Sequence, residues 1–368
     1  MPVKAEVEWN DLEIKSLHKK YKVTFDEDFK SVSSRLSEYR NSVFVIDRRV
    51  FLLYESLLET LIAGRPFVLV EANESTKTLA GVQNLIEWLL ETGCNRSTTI
   101  IGIGGGIVQD LVTFTSNVFY RGASYVLMPT TLLSMCDSCI GAKCGINFGS
   151  YKNQLGVIYA PSGVHIVAQF LESLDDIEIK SGYGEILKLA ITGSQDSFKQ
   201  MNKQVEAHGL RGRHLLQLIH QSLLIKQRII EEDEYEVDLR RILNYGHTFG
   251  HALEALTYHA IPHGLAVAWG IDIINFIATG KSAGFASVDH EVNKFISQYL
   301  TFSLNEFPSA IDLVNMTRRD KKMSNGILNL ALPRNYGEIV ICPTALDDRL
   351  VELVDSYLQT RNVYALND

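Results

Sequence analysis

Three histidines close together in the sequence are the residues best suited to chemistry. His247 and His251 are four residues apart, and His263 follows in the same largely apolar stretch. On a helix, residues four apart share one face and lie about one turn from each other. Neutral imidazole is a common zinc ligand, and catalytic zinc usually takes three protein ligands and keeps one position open. A lone histidine in an apolar run is usually structural, but three together predict a divalent-metal site that an acidic side chain elsewhere completes.

A glycine-rich turn at residues 102–110 predicts a phosphate-binding loop. It follows an apolar run and leads into a helix, so the backbone can approach a phosphate and the helix N-terminus can donate N–H groups to it. The spacing departs from G-x-G-x-x-G, so it is compatible with either a dinucleotide site or a simple tight turn. Asp47, Glu74 and Lys77 follow two earlier apolar runs, at positions where the ribose of a cofactor is usually held.

A second candidate region, residues 137–153, combines lysines and side-chain amides in a glycine-rich loop. Lys143 and Lys152 are flanked by small or apolar residues, where a shielded ammonium group is costly without a partner. Together with Arg121 and the lysines at 321–322, they predict a phosphate pocket in an otherwise acidic protein. The simpler interpretation is an ordinary solvated loop.

Length and composition describe a globular protein of two domains. The chain has 368 residues, of which 46% are hydrophobic and 21% charged, and single cores rarely grow beyond about 250–300 residues. The net charge of −8 gives no reason to expect nucleic-acid binding, which favours a basic face. No apolar run has the length of a membrane span, and the first residues do not resemble a signal peptide. We therefore expect no membrane partner and a cytoplasmic location.

The five cysteines do not predict a disulfide framework, because their number is odd and the chain is long. Cys136 and Cys139 have the spacing of a redox or zinc motif, but no second pair accompanies them. We interpret them as small buried thiols.

The hydrophobic pattern divides the chain into two kinds of structure. Apolar runs predict strands, and periodic stretches predict helices. The predicted strands lie at 43–46, 67–70, 98–103 and 124–128, with a helix at 78–92; later helices lie at 182–194, 213–232, 243–258, 264–284, 289–300 and 346–359, with a hairpin within 326–342. Strands alternating with helices predict an α/β domain with a parallel sheet, followed by a mostly α-helical domain. The predicted domains are 1–176 and 177–368, with the cleft between them as the expected ligand site.

Several motifs occur in one order along the chain. They are GGGIVQD (104–110), PTTLL (129–133), DSCIGAK (137–143), KN (152–153), GEILK (184–188), LNYGHTFGHALE (243–254) and RDKK (319–322). Together they resemble the 3-dehydroquinate synthase family, the sugar phosphate cyclases, from about residue 40 to residue 350. The resemblance implies a dehydroquinate synthase-like fold, with a Rossmann-like NAD-binding N-terminal domain and a helical metal-binding C-terminal domain.

The resemblance also implies which residues bind metal, substrate and cofactor. Its zinc ligands, for which cobalt is an alternative ion, are Glu185, His247 and His263, so His251 is turned toward phosphate and cofactor instead of the metal. The implied substrate-contacting or catalytic residues are Asp137, Lys143, Asn153, Lys188, Lys226, Arg240, Asn244, His251 and Lys322. The implied NAD-binding residues are Asp47, Glu74, Lys77, Gly105, Gly106, Asp110, Thr130, Thr131, Lys152, Asn153 and Glu178.

The implied activity is that of a cyclising carbon–oxygen lyase acting on a sugar phosphate. In this family a hydroxyl is oxidised transiently by NAD, phosphate leaves by β-elimination, and the same cofactor returns the hydride. An intramolecular aldol reaction then closes the carbocycle, for which the site chiefly holds the geometry. The family also implies a homodimer.

The choice of substrate rests on a few positions. Lys226 and Arg240 favour the seven-carbon sugar acid phosphate of 3-dehydroquinate synthase, since its carboxylate needs cations. His251 favours it too, because cyclases that make 2-epi-5-epi-valiolone usually carry proline at this position. Leu265 departs from the glutamate that the family usually has there. Residues 147–156 and 45–54 are more typical of the valiolone-type and gadusol-type cyclases of secondary metabolism, which act on sedoheptulose 7-phosphate.

Two more distant activities are also compatible with parts of the pattern. A glucose 6-phosphate cyclase usually has an acidic residue in place of asparagine at 244. A metal-dependent polyol dehydrogenase shares the two-domain fold, but its substrate carries no phosphate and needs no phosphate pocket.

Overall fold

The computed structural model describes residues 10–149, 151–281, 288–304, 306–318, 323–324, 327–361 and 365–366. The chain forms two compact units, which divide between Leu174 and Asp175. Among the described helices, none has both the length and the apolar character needed to cross a bilayer.

The first unit is built on a seven-stranded sheet. Its strands are β1 (Leu12–Lys15), β2 (Lys20–Asp26), β3 (Ser42–Asp47), β4 (Phe67–Val70), β5 (Thr99–Gly104), β6 (Ser124–Pro129) and β9 (Gly163–Val167), and β7 (Ile146–Phe148) and β8 (Tyr151–Leu155) form a separate hairpin. The order across the sheet is β1-β2-β9-β6-β5-β3-β4, and every neighbouring pair except β1–β2 is parallel. The helices of this unit are α1 (Phe29–Leu36), α2 (Arg48–Leu53), α3 (Glu55–Ile62), α4 (Leu79–Glu91) and α5 (Gly106–Val118).

The strands that the sequence predicts are those with uninterrupted apolar residues. Residues 43–46 of β3 and 125–128 of β6 are all buried, as expected for a parallel sheet that is covered on both faces. All four predicted strands are present as β3 to β6, and the helix predicted at 78–92 is α4. The apolar pattern does not predict β2 and β9, because the polar residues Thr24 and His165 interrupt their apolar runs. Both side chains are buried and lie 2.9 Å apart, Thr24 Oγ1 to His165 Nδ1.

The second unit is mostly helical. Its helices are α6 (Asp176–Gly193), α7 (Gln195–His208), α8 (His214–Glu232), α9 (His247–Leu256), α10 (His263–Lys281), α11 (Asp289–Tyr299), α12 (Ala310–Thr317) and α13 (Asp348–Thr360). The strands are β10 (Ser303–Leu304), β11 (Met323–Ser324), β12 (Ile327–Asn335), β13 (Glu338–Ala345) and β14 (Ala365–Leu366), and β12 with β13 form the predicted hairpin. The predicted fold class, a Rossmann-like α/β part followed by a mostly helical part, is confirmed.

The helix predicted at 243–258 is wrong at its start. Residues Leu239–Asn244 form a 3-10 helix, and α9 begins only at His247. The interruption lies at Gly246, whose φ of 80° is a left-handed value that glycine adopts readily and other residues rarely do. The break separates Asn244 from the histidine helix, so the two ends of the predicted helix belong to different elements.

Glycines let three helices of this unit pack with their backbones in contact. A Cβ atom on Gly184 of α6 would lie 1.8 Å from the carbonyl oxygen of Gly264 on α10, and one on Gly264 would lie 1.7 Å from that of Ser181. A Cβ on Gly270 of α10 would lie 2.0 Å from the carbonyl oxygen of Gly246, just before α9. The close crossing of α6 and α10 brings the residue after Gly184 next to the residue before Gly264. These two residues are Glu185 and His263.

Candidate active site

A buried carboxylate and two histidines form the centre of the candidate metal site. Glu185 is fully buried, and its Oε1 atom lies 3.5 Å from His247 Nε2 and 3.3 Å from His263 Nε2. Ligand atoms bound to one tetrahedral ion at about 2.0–2.1 Å lie roughly 3.3–3.4 Å from one another. Both distances from Glu185 therefore suit a shared metal, with one ligand from each of α6, α9 and α10, and ligand atoms of the two histidines lie within 4.8 Å of each other.

The hydrogen bonding of Glu185 also fits a metal ligand. Among the described residues, none gives either of its oxygens a hydrogen bond of normal geometry, although Lys188 Nζ lies 2.5 Å from Oε2. Burial alone would raise the pKa of Glu185, but Lys188 and the two histidines outweigh that effect, and the pKa lies well below its usual value. The carboxylate is thus ionised and can bind a cation.

The two histidines respond differently to this carboxylate. Burial, together with Lys188, holds the pKa of His247 well below its ordinary value, so this ring is neutral, the form that binds metals. Burial would also lower the pKa of His263, but Glu185 and Glu254 raise it to about 10. The surroundings of His263 therefore stabilise positive charge, which a metal site also requires.

His251 lies beside this cluster and is exposed. Its ring centroid is 5.4 Å from that of His247 and 5.7 Å from that of His263, and the three imidazoles offer ligand atoms within 4.8 Å of one another. Glu185 Oε1 is within 3.5 Å of a ring nitrogen of both His247 and His263, and His251 lies close enough to the same cluster to contact a ligand of the metal.

Both candidate histidine ligands are supported from behind by hydrogen-bond acceptors. His263 Nδ1 lies 3.1 Å from Glu254 Oε2, and His247 Nδ1 lies 3.3 Å from the carbonyl oxygen of Tyr245. Glu254 ends the LNYGHTFGHALE motif, but sequence reasoning assigns it no role. Its position on α9, seven residues after His247 and three after His251, is the signal that could have placed it on the same face of the helix.

The other cationic residues predicted for the second unit are buried on neighbouring elements. Lys226 of α8 and Arg240 of the 3-10 helix are each 6% exposed, and Arg240 Nη1 donates to the carbonyl oxygen of Glu234 at 2.6 Å. Asn244 Nδ2 donates to Glu236 Oε1 at 2.6 Å. Lys226 lies on α8, and Arg240 and Asn244 lie on the 3-10 helix. An apolar cluster of Leu189, Ile229 and Leu243 packs these two elements against α6.

Two further residues that the sequence predicts for the site belong to this unit. Glu178 lies in the first turn of α6, where its backbone N–H is capped by Asp175. Lys322 lies outside the described residues.

In the first unit, the predicted cofactor residues gather at the carboxyl ends of neighbouring strands, the usual ligand-binding edge of such sheets. Asp47 ends β3, Gly105 caps α5 directly after β5, and Thr130 and Thr131 follow β6. A Cβ on Gly105 would lie 3.1 Å from Thr131 Cγ2, whereas Gly106 has open space beside it. The start of α5 is therefore open to a ligand that approaches its backbone.

A network of polar contacts ties the remaining cofactor residues together. Lys77 Nζ lies 2.8 Å from Asp110 Oδ2, and Asp110 Oδ1 accepts from the backbone N–H of Gly145 at 3.1 Å. Asn147 Nδ2 donates to Glu74 Oε2 at 2.6 Å, and Asn147 Oδ1 accepts from the N–H of residue 153 at 3.0 Å. Burial raises the pKa of Asp110, an effect that Lys77 opposes. The loops after β4 and around β7 and β8 are thus fixed to α5.

Two lysines expected to be shielded are exposed instead. Lys143 is exposed, and the side chain of Lys152 is 40% exposed with its Nζ 3.6 Å from Glu74 Oε1. The backbone next to these lysines is left-handed, at Ala142 and Asn153. The small flanking residues do not bury the lysine side chains. Both lysines therefore lie where a dissolved anion could reach them.

Asp137 and Lys143 belong to one irregular segment after β6. Asp137 lies in a π-helical turn at Ser134–Ser138, a feature that is often found at functional sites. Lys143 lines a small polar cavity together with Asp110 and Gln109, so the structure places it beside the helix that follows the glycine-rich turn. Cys136 and Cys139 are buried free thiols, as predicted.

Comparison with known proteins gives matches along most of the chain. The family description "3-dehydroquinate synthase N-terminal" matches residues 67–181, and "3-dehydroquinate synthase C-terminal" matches residues 182–323. A 3-dehydroquinate synthase of Streptococcus pyogenes is 34% identical over 358 residues, which cover 94% of this chain and 99% of the relative.

Two solved structures with the same fold carry different names. A 2-deoxy-scyllo-inosose synthase complexed with carbaglucose-6-phosphate, NAD+ and Co2+ has a TM-score of 0.81 at 22% identity and covers 94% of this chain and 99% of its own. A 2-epi-5-epi-valiolone synthase from Streptomyces hygroscopicus, with NAD+ and Zn2+ bound, has a TM-score of 0.79 at 24% identity and covers 95% and 99%. At these identities the likeness concerns the fold.

Proposed function

Since the chain belongs to the 3-dehydroquinate synthase family of cyclising enzymes, we propose that it converts 3-deoxy-arabino-heptulosonate 7-phosphate to 3-dehydroquinate. The reaction releases inorganic phosphate and closes a six-membered carbocycle. NAD would serve as a resident cofactor for hydride transfer and not as a consumed substrate.

The observation that carries this proposal is the surroundings of Glu185. Its distances to His247 and His263 suit a divalent ion, and Lys188, 2% exposed, lies against the same carboxylate. A buried ammonium is costly without an anionic partner, and Glu185 is such a partner here. A metal site combined with a buried cation suits a substrate that carries both hydroxyl groups and negative charge.

We propose NAD and Zn2+, with Co2+ as an alternative ion, as the bound groups. NAD accepts and returns a hydride, and a divalent ion polarises sugar oxygens and acidifies a hydroxyl. The Glu185, His247 and His263 side chains would hold the ion. The residues that would hold NAD are Asp47, Glu74, Lys77, Gly105, Gly106, Asp110, Thr130, Thr131, Lys152, Asn153 and Glu178.

The remaining site residues orient the sugar acid. Lys143, Asn153, His251 and Lys322 bind the phosphate and nearby hydroxyls, and Asp137, Lys188 and Asn244 bind the other oxygens. Lys226 and Arg240 hold the carboxylate, since both are buried cations on elements joined by the Leu189 cluster. With the chain held in this way, the intramolecular aldol step needs orientation more than chemical assistance.

Phosphate release distinguishes the candidate substrates. Purified protein is incubated with NAD and Zn2+, separately with 3-deoxy-arabino-heptulosonate 7-phosphate, sedoheptulose 7-phosphate and glucose 6-phosphate. We expect phosphate only from the first, and no net NADH by its near-ultraviolet absorbance. A Glu185→Ala variant, checked for folding by circular dichroism, is the inactive control.

Each contrary outcome has a definite meaning. Release from sedoheptulose 7-phosphate alone contradicts the dehydroquinate proposal and identifies a cyclase of secondary metabolism, which Leu265 and residues 147–156 would then explain. Stoichiometric NADH without phosphate release identifies a polyol dehydrogenase. A wild-type protein that retains no divalent metal after purification in its presence contradicts the enzyme mechanism as a whole.

A further inference from the structure

We propose that Glu254 is a positioning residue of the metal site. Its carboxylate accepts a hydrogen bond from His263 Nδ1 and thereby turns His263 Nε2, as a lone-pair donor, toward Glu185 and the ion. This inference deepens the proposed function and rests on the metal site described there.

The geometry of the His263 ring carries the inference. Its Nδ1 lies 3.1 Å from Glu254 Oε2, and its Nε2 lies 3.3 Å from Glu185 Oε1. A neutral imidazole has one N–H and one lone pair, and an ionised carboxylate only accepts hydrogen bonds. When an ion displaces the Nε2 proton of His263, the proton that stays on Nδ1 and is donated to Glu254 leaves the lone pair on Nε2. Glu254 therefore selects the tautomer that can bind a metal beside Glu185.

The position of Glu254 separates it from the metal ligands themselves. Its oxygen contacts the ring nitrogen on the side opposite Nε2, so it cannot share an ion with Glu185 through that contact. The arrangement is a carboxylate–histidine–metal series, in which the outer carboxylate orients the ring and increases its basicity.

His263 depends on this hydrogen bond more than His247 does. The side chain of His263 is 36% exposed, compared with 13% for His247, so packing restrains it less. The contact of Gly264 with α6 fixes the backbone next to His263, but it leaves the side-chain torsions free. His247 is oriented by the neutral carbonyl of Tyr245, whereas Glu254 makes a charge-assisted bond, which is stronger.

The test measures metal affinity and not turnover. Metal-free wild type, Glu254→Ala and Glu254→Gln are titrated with Zn2+ against a chromophoric chelator. We expect Glu254→Ala to bind zinc about 10- to 100-fold more weakly, the usual loss on removing such an outer partner. Glu254→Gln should lose less, because its amide oxygen still accepts from Nδ1–H. The control is Glu291→Gln, which removes a carboxylate that accepts a hydrogen bond from Tyr336 in the same unit and not from a candidate metal ligand. Its zinc affinity should stay within about twofold of wild type, because exposed polar pairs of this kind contribute little.

A spectroscopic signature separates positioning from a purely structural role. In zinc-loaded protein labelled with 15N-histidine, we expect a slowly exchanging Nδ1 proton for His263 that disappears in Glu254→Ala. The visible spectrum of the Co2+ form should also change in that variant, as the ligand geometry changes. Circular dichroism and thermal unfolding check that each variant is folded.

The results also distinguish the two proposals. If the wild type binds no zinc, both this inference and the metal-dependent function fail. If the wild type binds zinc and Glu254→Ala binds it equally well, or if the Nδ1 proton is absent from the wild type, only the role of Glu254 is contradicted. If Glu254→Ala does not fold, the affinity of Glu254→Gln and the wild-type proton resonance still decide the question.

Discussion

Arg240 is the residue whose chemistry most directly separates the candidate substrates. It is buried and points at least one N–H to the backbone of Glu234, so its guanidinium is held in place before a substrate binds. Sedoheptulose 7-phosphate and glucose 6-phosphate have no carboxylate for this group to bind. A substrate acid would gain a charge-assisted, bidentate partner there.

Replacing Arg240 with alanine should lower kcat/KM for the seven-carbon sugar acid phosphate by about 30-fold to several thousand-fold, because losing one partner of a buried ionic hydrogen bond costs roughly 2–5 kcal/mol. The measurement is steady-state phosphate release, with Arg241→Ala as a control, since Arg241 is the exposed neighbour on the same 3-10 helix. An unchanged kcat/KM in folded Arg240→Ala would contradict a role for Arg240 in binding a substrate carboxylate.

For the candidate metal site, the sequence predicts the types of residue but not which of them lie next to one another. The spacing of His247 and His251 suggests that both bind one metal, whereas the folded chain also brings Glu185 Oε1 within 3.5 Å of ring nitrogens of His247 and His263. No local pattern in the sequence relates Glu185 to histidines about 60 to 80 positions later. Their proximity comes from the crossing of α6 and α10, which only the folded chain contains. Resemblance to a family indicates Glu185; periodicity does not.

Among the elements, the pairing of β2 with β9 contains an unusual polar contact. His165 lies between Thr24 Oγ1 at 2.9 Å and the hydroxyl of Tyr39 at 3.3 Å. Burial lowers the pKa of His165 to about 4, so the ring is neutral in the folded chain at neutral pH. The unfolded chain has an ordinary histidine pKa of about 6.5.

This difference predicts a pH dependence of stability. Because the unfolded state takes up the proton first, the free energy of unfolding should fall as the pH falls from about 6.5 to 4, by roughly 3 kcal/mol from this group alone. Urea unfolding at several pH values measures it, and His165→Gln should show a flatter dependence over that window. Equal slopes for the two proteins would show that His165 is not buried in its neutral form.

The elements differ in how well the sequence predicts them, and the reason is how continuous their apolar residues are. Strands β3 to β6 consist mainly of consecutive apolar residues, so composition identifies them even though β4 is only partly buried. Sequence reasoning misses α7 although Phe198, Met201 and Val205 form an apolar face, since its other residues are polar and resemble a loop. The end of the 3-10 helix at Asn244 depends on tertiary contacts of Gly246 with α10. Such a break is invisible to a pattern that only counts apolar positions.

For the whole molecule, the candidate metal ligands all lie in the second unit, and most of the candidate NAD residues lie in the first. The two bound groups should therefore protect different parts of the chain. A ligand that binds only the folded state stabilises what it contacts, and hydrogen exchange reports this region by region.

Adding Zn2+ to chelator-treated protein should slow exchange in peptides from α6, α9 and the start of α10, and NAD should slow exchange mainly in residues 102–110 and 137–153. Hydrogen-exchange mass spectrometry with each group separately measures both effects. Glu185→Ala should lose the zinc effect and keep protection by NAD in the first unit. Zinc protection confined to the first unit would contradict the assigned ligands.

The backbone contact between Gly184 and Gly264 has a consequence for how the site responds to substitution. It fixes the spacing of Glu185 and His263 through main-chain atoms, which substitutions elsewhere do not alter. Arg240 and Asn244 lie on the 3-10 helix, which apolar side chains hold against α6 and α8. We therefore expect substitutions among those apolar side chains to shift Arg240 and Asn244 while the spacing of Glu185 and His263 stays the same. The candidate metal ligands and the candidate substrate residues are thus held by two different kinds of contact.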